Sequence, residues 1–277
     1  MFYKKLYLKD LSKDFKDSVA TLEIYRMEYN NDFAGQKIIR PGLLVIPGGG
    51  YEGCSDREAE PIALRFLSEG FNCFVLRYTC KQKYPVPQRE VIFASNYIRE
   101  HYEEFELLDI GLTLIGFSAG AHLAGTIGYV YEEVAKELNI NPKMVKPFAL
   151  MLCYPVVSSV VGVAHEGSII NISNNEKELR EKMSIEKHVT KEYPPTYIWH
   201  TEDDLCVPVE NSYVLAKSLE KNRVPYKMHI FKSGIHGGSL CTRGVYLDYD
   251  DSLIKMEENS VWVKEACDFV FRLIFKY

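Results

Sequence analysis

From residue 42 onward, short runs that are apolar throughout alternate with longer runs whose apolar residues recur every three or four positions. Leu43-Leu44-Val45-Ile46, Phe71 to Tyr78, Leu112-Thr113-Leu114-Ile115, Phe148 to Cys153, Thr196 to Trp199 and Tyr226 to Phe231 are of the first kind. They read as strands buried on both faces. Helical spacing runs through 56–69 (Ile62, Leu64, Phe66, Leu67, stopping at Gly70), 88–103 (Val91, Ile92, Ala94, Ile98), the stretch after Ser118, 207–222 and 260–275. Residues 18–29 alternate weakly and read as an early strand. Apolar strands alternating with helices predict an α/β fold with a parallel sheet covered on both faces. No low-complexity linker or internal repeat interrupts residues 1–277, so a single domain is expected. Two segments, 155–193 and 237–258, break the rhythm. Each follows a strand end, the edge at which such sheets bind ligands. They are expected to shape the pocket, the first as a wall or lid.

Composition narrows the classes of function. Of 277 residues, 47% are apolar and 26% charged, as in ordinary globular chains. The net charge is −5, from 33 basic and 38 acidic residues with no basic run, which argues against nucleic acid and anionic membranes as partners. No apolar stretch is long enough to span a bilayer, and the N-terminal segment has no apolar core of a signal peptide. Seven cysteines without a C-x-x-C pair suit reduced thiols and a cytoplasmic location. The histidines are spread out without metal-ligand spacing, so neither a metal nor a cofactor is expected. A homo-oligomer is compatible with the sequence.

The chemistry concentrates at Gly116-Phe117-Ser118-Ala119-Gly120, directly after an apolar run. A serine on a tight turn between strand and helix is exposed as a nucleophile, and the turn needs small residues two before and two after it. The helix start would also aim the Ala119 N–H at an anion forming beside Ser118. Alone, the pentapeptide fits a Gly-rich turn equally well, so its partners matter. A serine hydroxyl needs a base, and the base needs a carboxylate to fix its tautomer. His236, in Ser233-Gly234-Ile235-His236-Gly237-Gly238 after the last strand, suits the base. His229, inside that strand, and His122, one turn after Ser118, read as packing residues; His200 ends a strand but sits before the acidic cluster, and His101, His165 and His188 have no supporting context. The carboxylate is sought in Glu202-Asp203-Asp204, where at least one acid is expected to be merely solvated; the next helix is placed near Pro208. A second oxyanion donor would come from Gly49 or Gly50 in Pro47-Gly48-Gly49-Gly50-Tyr51, where glycines let the backbone approach a substrate.

The order of glycine loop, Ser118, Asp204 and His236 resembles the α/β-hydrolase superfamily over nearly the whole chain. Within it, the chain resembles the esterase/lipase branch related to hormone-sensitive lipase and to small bacterial acetylesterases and acetylxylan-esterase-like proteins. The matching stretches are Pro47–Tyr51, Gly116–Ala124, Trp199–Asp204 with Val207–Ser212, and Gly234–Gly237. The resemblance implies a mostly parallel sheet of about eight strands with one antiparallel strand near the N-terminus. It selects Asp204 over Asp203, four residues after His200. It implies a serine carboxylesterase acting on small acyl, acetyl-type esters, with sugars as carriers, through an acyl-enzyme. Ser118, Asp204 and His236 would be catalytic, and Ala119 with Gly49 or Gly50 would bind the oxyanion. The glycine motif usually opens with His; Pro47 stands there and predicts an altered loop brace.

Three other readings carry less. Gly48-Gly49-Gly50-Tyr51-Glu52-Gly53 also matches a dinucleotide fingerprint, but the next strand ends Leu76-Arg77-Tyr78 without the acid that would hold a ribose. A prolyl-oligopeptidase-like peptidase would share the catalytic domain, yet nothing here supplies its propeller. A non-catalytic ligand-binding version of the fold commonly loses a triad member, and none is missing. Tyr246 and Tyr249 could stack on a sugar or simply pack.

Overall fold

The computed structural model describes residues 1–28, 37–246 and 256–276. Its centre is an eight-stranded sheet: β1 (Phe2–Tyr7), β2 (Thr21–Arg26), β3 (Gly42–Ile46), β4 (Asn72–Arg77), β5 (Thr113–Phe117), β6 (Ala149–Cys153), β7 (Thr196–Thr201) and β8 (Tyr226–Phe231). The spatial order is β1-β2-β4-β3-β5-β6-β7-β8. β2 pairs antiparallel with both β1 and β4, and β3 to β8 run parallel to one another. This is the mostly parallel sheet, antiparallel near the N-terminus, that the sequence led us to expect. β1 is an addition: an edge strand with Lys4 and Lys5 exposed buries too little to show an apolar run.

Continuous apolar runs still alternate in space. Leu44 and Ile46 join Leu114, Leu150, Leu152 and Ile198 in one buried cluster, whereas Leu43 and Val45 join Ile115, Phe117, Met151 and Trp199 in another. Each face is then roofed by helices. The first face carries α2 (Val86–Glu100), α3 (Ala119–Glu137) and α6 (Glu210–Lys221). The second carries α1 (Glu60–Ser68) and α7 (Val261–Phe275), whose Trp262 stacks on Trp199 with ring centroids 5.3 Å apart. Ile62 and Phe66 of α1 are fully buried as the spacing predicts, but Leu64 faces solvent. The 155–193 segment folds into α4 (Glu166–Ser173) and α5 (Lys177–Lys182).

The sheet fixes where a ligand can bind. β4 lies on one side of β3 and β5 on the other, so the chain direction across the sheet reverses between β3 and β5. The crevice at such a reversal lies beyond the carboxyl ends of the strands. The glycine loop leaves β3 there, and Ser118 follows β5.

Candidate active site

Ser118 sits between β5 and α3 with φ 52° and ψ −118°. A positive φ outside glycine costs about 1–3 kcal/mol and persists only when its surroundings hold it. Here the Ser118 N–H donates to the Cys153 carbonyl at 3.0 Å, and its own carbonyl accepts from His122 at 3.0 Å and Val156 at 3.3 Å. The flanking glycines permit the turn. A Cβ on Gly116 would lie 2.3 Å from the Gly120 oxygen, and one on Gly120 would lie 2.2 Å from the Ile46 oxygen. The Ser118 side chain does not cap α3. Its Oγ instead lies 2.8 Å from His236 Nε2.

His236 follows β8 in a glycine-flanked loop, and its Nδ1 lies 2.7 Å from Asp204 Oδ2. Because an ionised carboxylate only accepts, Nδ1 carries the proton and Nε2 accepts from the serine hydroxyl. The structure thus joins Ser118, His236 and Asp204 in one hydrogen-bonded chain. The three adjacent acids part company: Glu202 pairs with Lys232 at the surface, Asp203 accepts the Gly234 N–H at 2.8 Å, and Asp204 is buried. Asp204 Oδ1 accepts the N–H groups of Cys206 and Val207, each at 2.9 Å. Burial disfavours its charge, but hydrogen bonds from His200, His236 and Val207 prevail and hold its carboxyl well below the usual range. Pro208 lies just outside α6 rather than in its first turn.

His200, given no role by sequence reasoning, is the second brace on Asp204. Its Nε2 lies 3.1 Å from both Asp204 Oδ2 and the Val207 carbonyl, and its Nδ1 lies 2.8 Å from Ser212 Oγ. Two acceptors at Nε2 place the proton there. The sequence signal was the four-residue spacing from His200 to Asp204. His122 packs inside the core, between Tyr51 Oη and the Met183 carbonyl, each at 2.7 Å, with its pKa pulled down to about 4 by burial. His229 stacks on Phe231 and bonds Glu265. His165 caps α4 and lies 3.7 Å from Cys206 Sγ, beside Asp204. Burial, with the nearby His236, lowers its pKa.

The glycine loop is held from below. Glu58 Oε2 accepts the Gly48 N–H at 2.9 Å, so the loop's remaining donor candidates are Gly49 and Gly50. Both have positive φ, 129° and 65°. Asn171 of α4 donates to the Gly50 carbonyl at 2.8 Å, tying the 155–193 segment to this loop. A Cβ on Gly48 would lie 3.1 Å from Ser118 Cβ, which sets the loop against the elbow. The dinucleotide reading fails on local structure, because the loop turns at residues 50–52 and passes through a short 3-10 turn (Asp56–Glu58) before α1 begins at Glu60, with Glu58 packed under Gly48. A cleft of about 630 Å³ opens beside His236, lined by Asp203, Leu205, Cys206, Ile235 and Met256 among others. Tyr246 braces this region through its hydroxyl to the Gly238 carbonyl at 2.6 Å. Tyr249 lies outside the described residues. Among those residues no helix is long and apolar enough to cross a membrane.

The BD-FAE family model matches residues 29–219, which include the glycine loop, Ser118 and Asp204. Endo-1,4-beta-xylanase B of Butyrivibrio fibrisolvens is 32% identical over 230 residues, 79% of this chain and 36% of that protein. Acetylxylan esterase of Xylanibacter ruminicola is 27% identical over 233 residues, 80% of this chain and 45% of that protein. The chain therefore spans less than half the length of these two curated relatives. Among solved structures, the acetyl ester-xyloside bifunctional hydrolase of Caldicellulosiruptor lactoaceticus is 31% identical. It superposes with a TM-score of 0.78 over 93% of this chain and 89% of its own.

Proposed function

From the premise that the chain belongs to the BD-FAE family and has the α/β-hydrolase fold, we propose that it is a serine carboxylesterase. Its substrates are small acyl, acetyl-type esters, with acetylated sugars as the natural class. The observation that carries the reading is the continuous chain Ser118 Oγ, His236 Nε2, His236 Nδ1, Asp204 Oδ2, with contacts of 2.8 and 2.7 Å. Relatives named for acetyl esters and xylan support the substrate class.

In the mechanism, Ser118 Oγ attacks the ester carbonyl as His236 Nε2 takes its proton. Asp204 keeps the imidazole in the Nδ1–H form and stabilises the imidazolium. The amides of Ala119 and of Gly49 or Gly50 receive the oxyanion. His236 gives the proton to the departing alcohol, then removes one from the water that hydrolyses the acyl-Ser118 ester. Val156, Ile169 and Val207 pack into a buried apolar cluster next to the elbow, a surrounding that supports a short acyl group. The aliphatic cleft beside His236 supports binding of the other half of the ester.

Hydrolysis of p-nitrophenyl acetate, butyrate and octanoate tests this, with Ser118→Ala as control. The acetate should be preferred, and the variant should lose several orders of magnitude in turnover. Near-full activity in Ser118→Ala would refute the assignment. Acetylated xylo-oligosaccharides are the next substrates to assay.

A further inference from the structure

Glycine loop, serine elbow and histidine loop leave three different strand ends. The chemistry needs them in register to a fraction of an ångström. One buried carboxylate that the mechanism above does not use bonds the glycine loop directly and reaches the histidine loop through Tyr154. Glu58 is 3% exposed. Its Oε2 accepts the Gly48 N–H at 2.9 Å, and its Oε1 accepts the Tyr154 O–H at 2.6 Å. The Tyr154 oxygen in turn accepts the N–H of Ser239, in the loop that carries His236, at 3.0 Å. The Tyr154 ring lies edge-on to the His236 imidazole with centroids 5.1 Å apart.

Gly48 is wedged between this carboxylate and the elbow: a Cβ there would be 2.7 Å from Glu58 Oε2 and 2.6 Å from the Phe117 carbonyl oxygen. Ser239 makes the return link, its hydroxyl donating to the Arg57 carbonyl. Burying a carboxylate is costly, and an apolar side chain would fill the space more cheaply. What only a carboxylate supplies is two oxygens that both accept, one from the Gly48 N–H and one from the Tyr154 hydroxyl that carries the link on to Ser239.

We propose that Glu58 is a positioning residue for the esterase reaction. With Tyr154 it clamps the Gly49–Gly50 amides and the His236 loop against Ser118. The proposal rests on the serine-esterase reading. Glu58→Gln keeps the volume but leaves a donor where one acceptor stood. Tyr154→Phe keeps the ring against His236 and removes the hydroxyl that joins Glu58 to Ser239.

The test measures kcat and KM on p-nitrophenyl acetate for both variants and their double, with melting temperatures and labelling by a fluorophosphonate in parallel. Each single variant should lose about 10²-fold in kcat, with KM within about threefold of wild type. The double should lose less than the product of the singles, because both break one bridge. A folded variant with wild-type kcat, a loss confined to KM, or fully multiplicative losses would each overturn the clamp. Should Glu58→Gln fail to fold, Tyr154→Phe alone decides by the same criteria. Wild-type protein that the fluorophosphonate does not label at Ser118 takes down the esterase reading and the clamp together; normal labelling with unaffected variants takes down the clamp alone.

Discussion

At Gly116 an added methyl group would meet the Gly120 oxygen at 2.3 Å, whereas at Gly53 nothing lies within 4 Å and φ is not positive. The two glycines therefore predict opposite outcomes. Gly116→Ala should destabilise the protein by about 1–3 kcal/mol or more through overpacking and depress Ser118 labelling. Gly53→Ala should stay within about 0.5 kcal/mol. Urea denaturation of both variants checks this, and equal stability would show that the elbow relaxes around a Cβ. The small residues around Ser118 were legible because the turn's need for them is local. Glu58 was not legible as a partner, and His200 was marked only by its four-residue spacing to Asp204. A buried Glu in a stretch such as Ser55-Asp56-Arg57-Glu58 looks like a surface acid until Gly48 and Tyr154 arrive from elsewhere in the chain.

At the scale of elements, the 155–193 segment shows how a break in hydrophobic rhythm differs from knowledge of its shape. Its position after β6 could be read off the chain. Its helices could not: α5 reads Lys-Glu-Leu-Arg-Glu-Lys and buries nothing completely. The segment is fastened by polar contacts. Asn211 of α6 accepts the N–H groups of Val157 and Ser158 at 2.9 and 3.0 Å and donates to the Val163 carbonyl at 2.7 Å. Arg180 holds Glu166 and the Ser159 carbonyl. Asn211→Ala would strand two buried amides, a loss of about 1–3 kcal/mol by chemical denaturation. An unchanged midpoint would mean that water replaces the asparagine. Asn171 bonds the glycine loop and Met256 lines the cleft, so parts of both interrupted segments lie at this edge of the sheet.

Across the whole molecule, the depressed pKa of Asp204 couples the site to folding. A carboxyl that holds its proton less tightly when folded stabilises the fold above its unfolded pKa of about 3.9. That contribution is lost as pH falls through this value toward the lower folded one. The gap in melting temperature between wild type and Asp204→Asn should be widest near neutrality and should narrow below about pH 4. A gap independent of pH would mean that Asp204 contributes shape and not charge. The residues that meet at the site are 118, 204 and 236, joined only because β5, β7 and β8 end on the same edge of the sheet. Sequence alone determined the strand–helix alternation, the elbow and the order of its partners, since each depends on periodicity, glycine sterics or neighbouring residues. Tertiary structure alone decided how deeply Asp204 is buried and that Glu58 ties two loops together. Those facts depend on burial and on hydrogen bonds between segments far apart in the chain, and no local pattern encodes them.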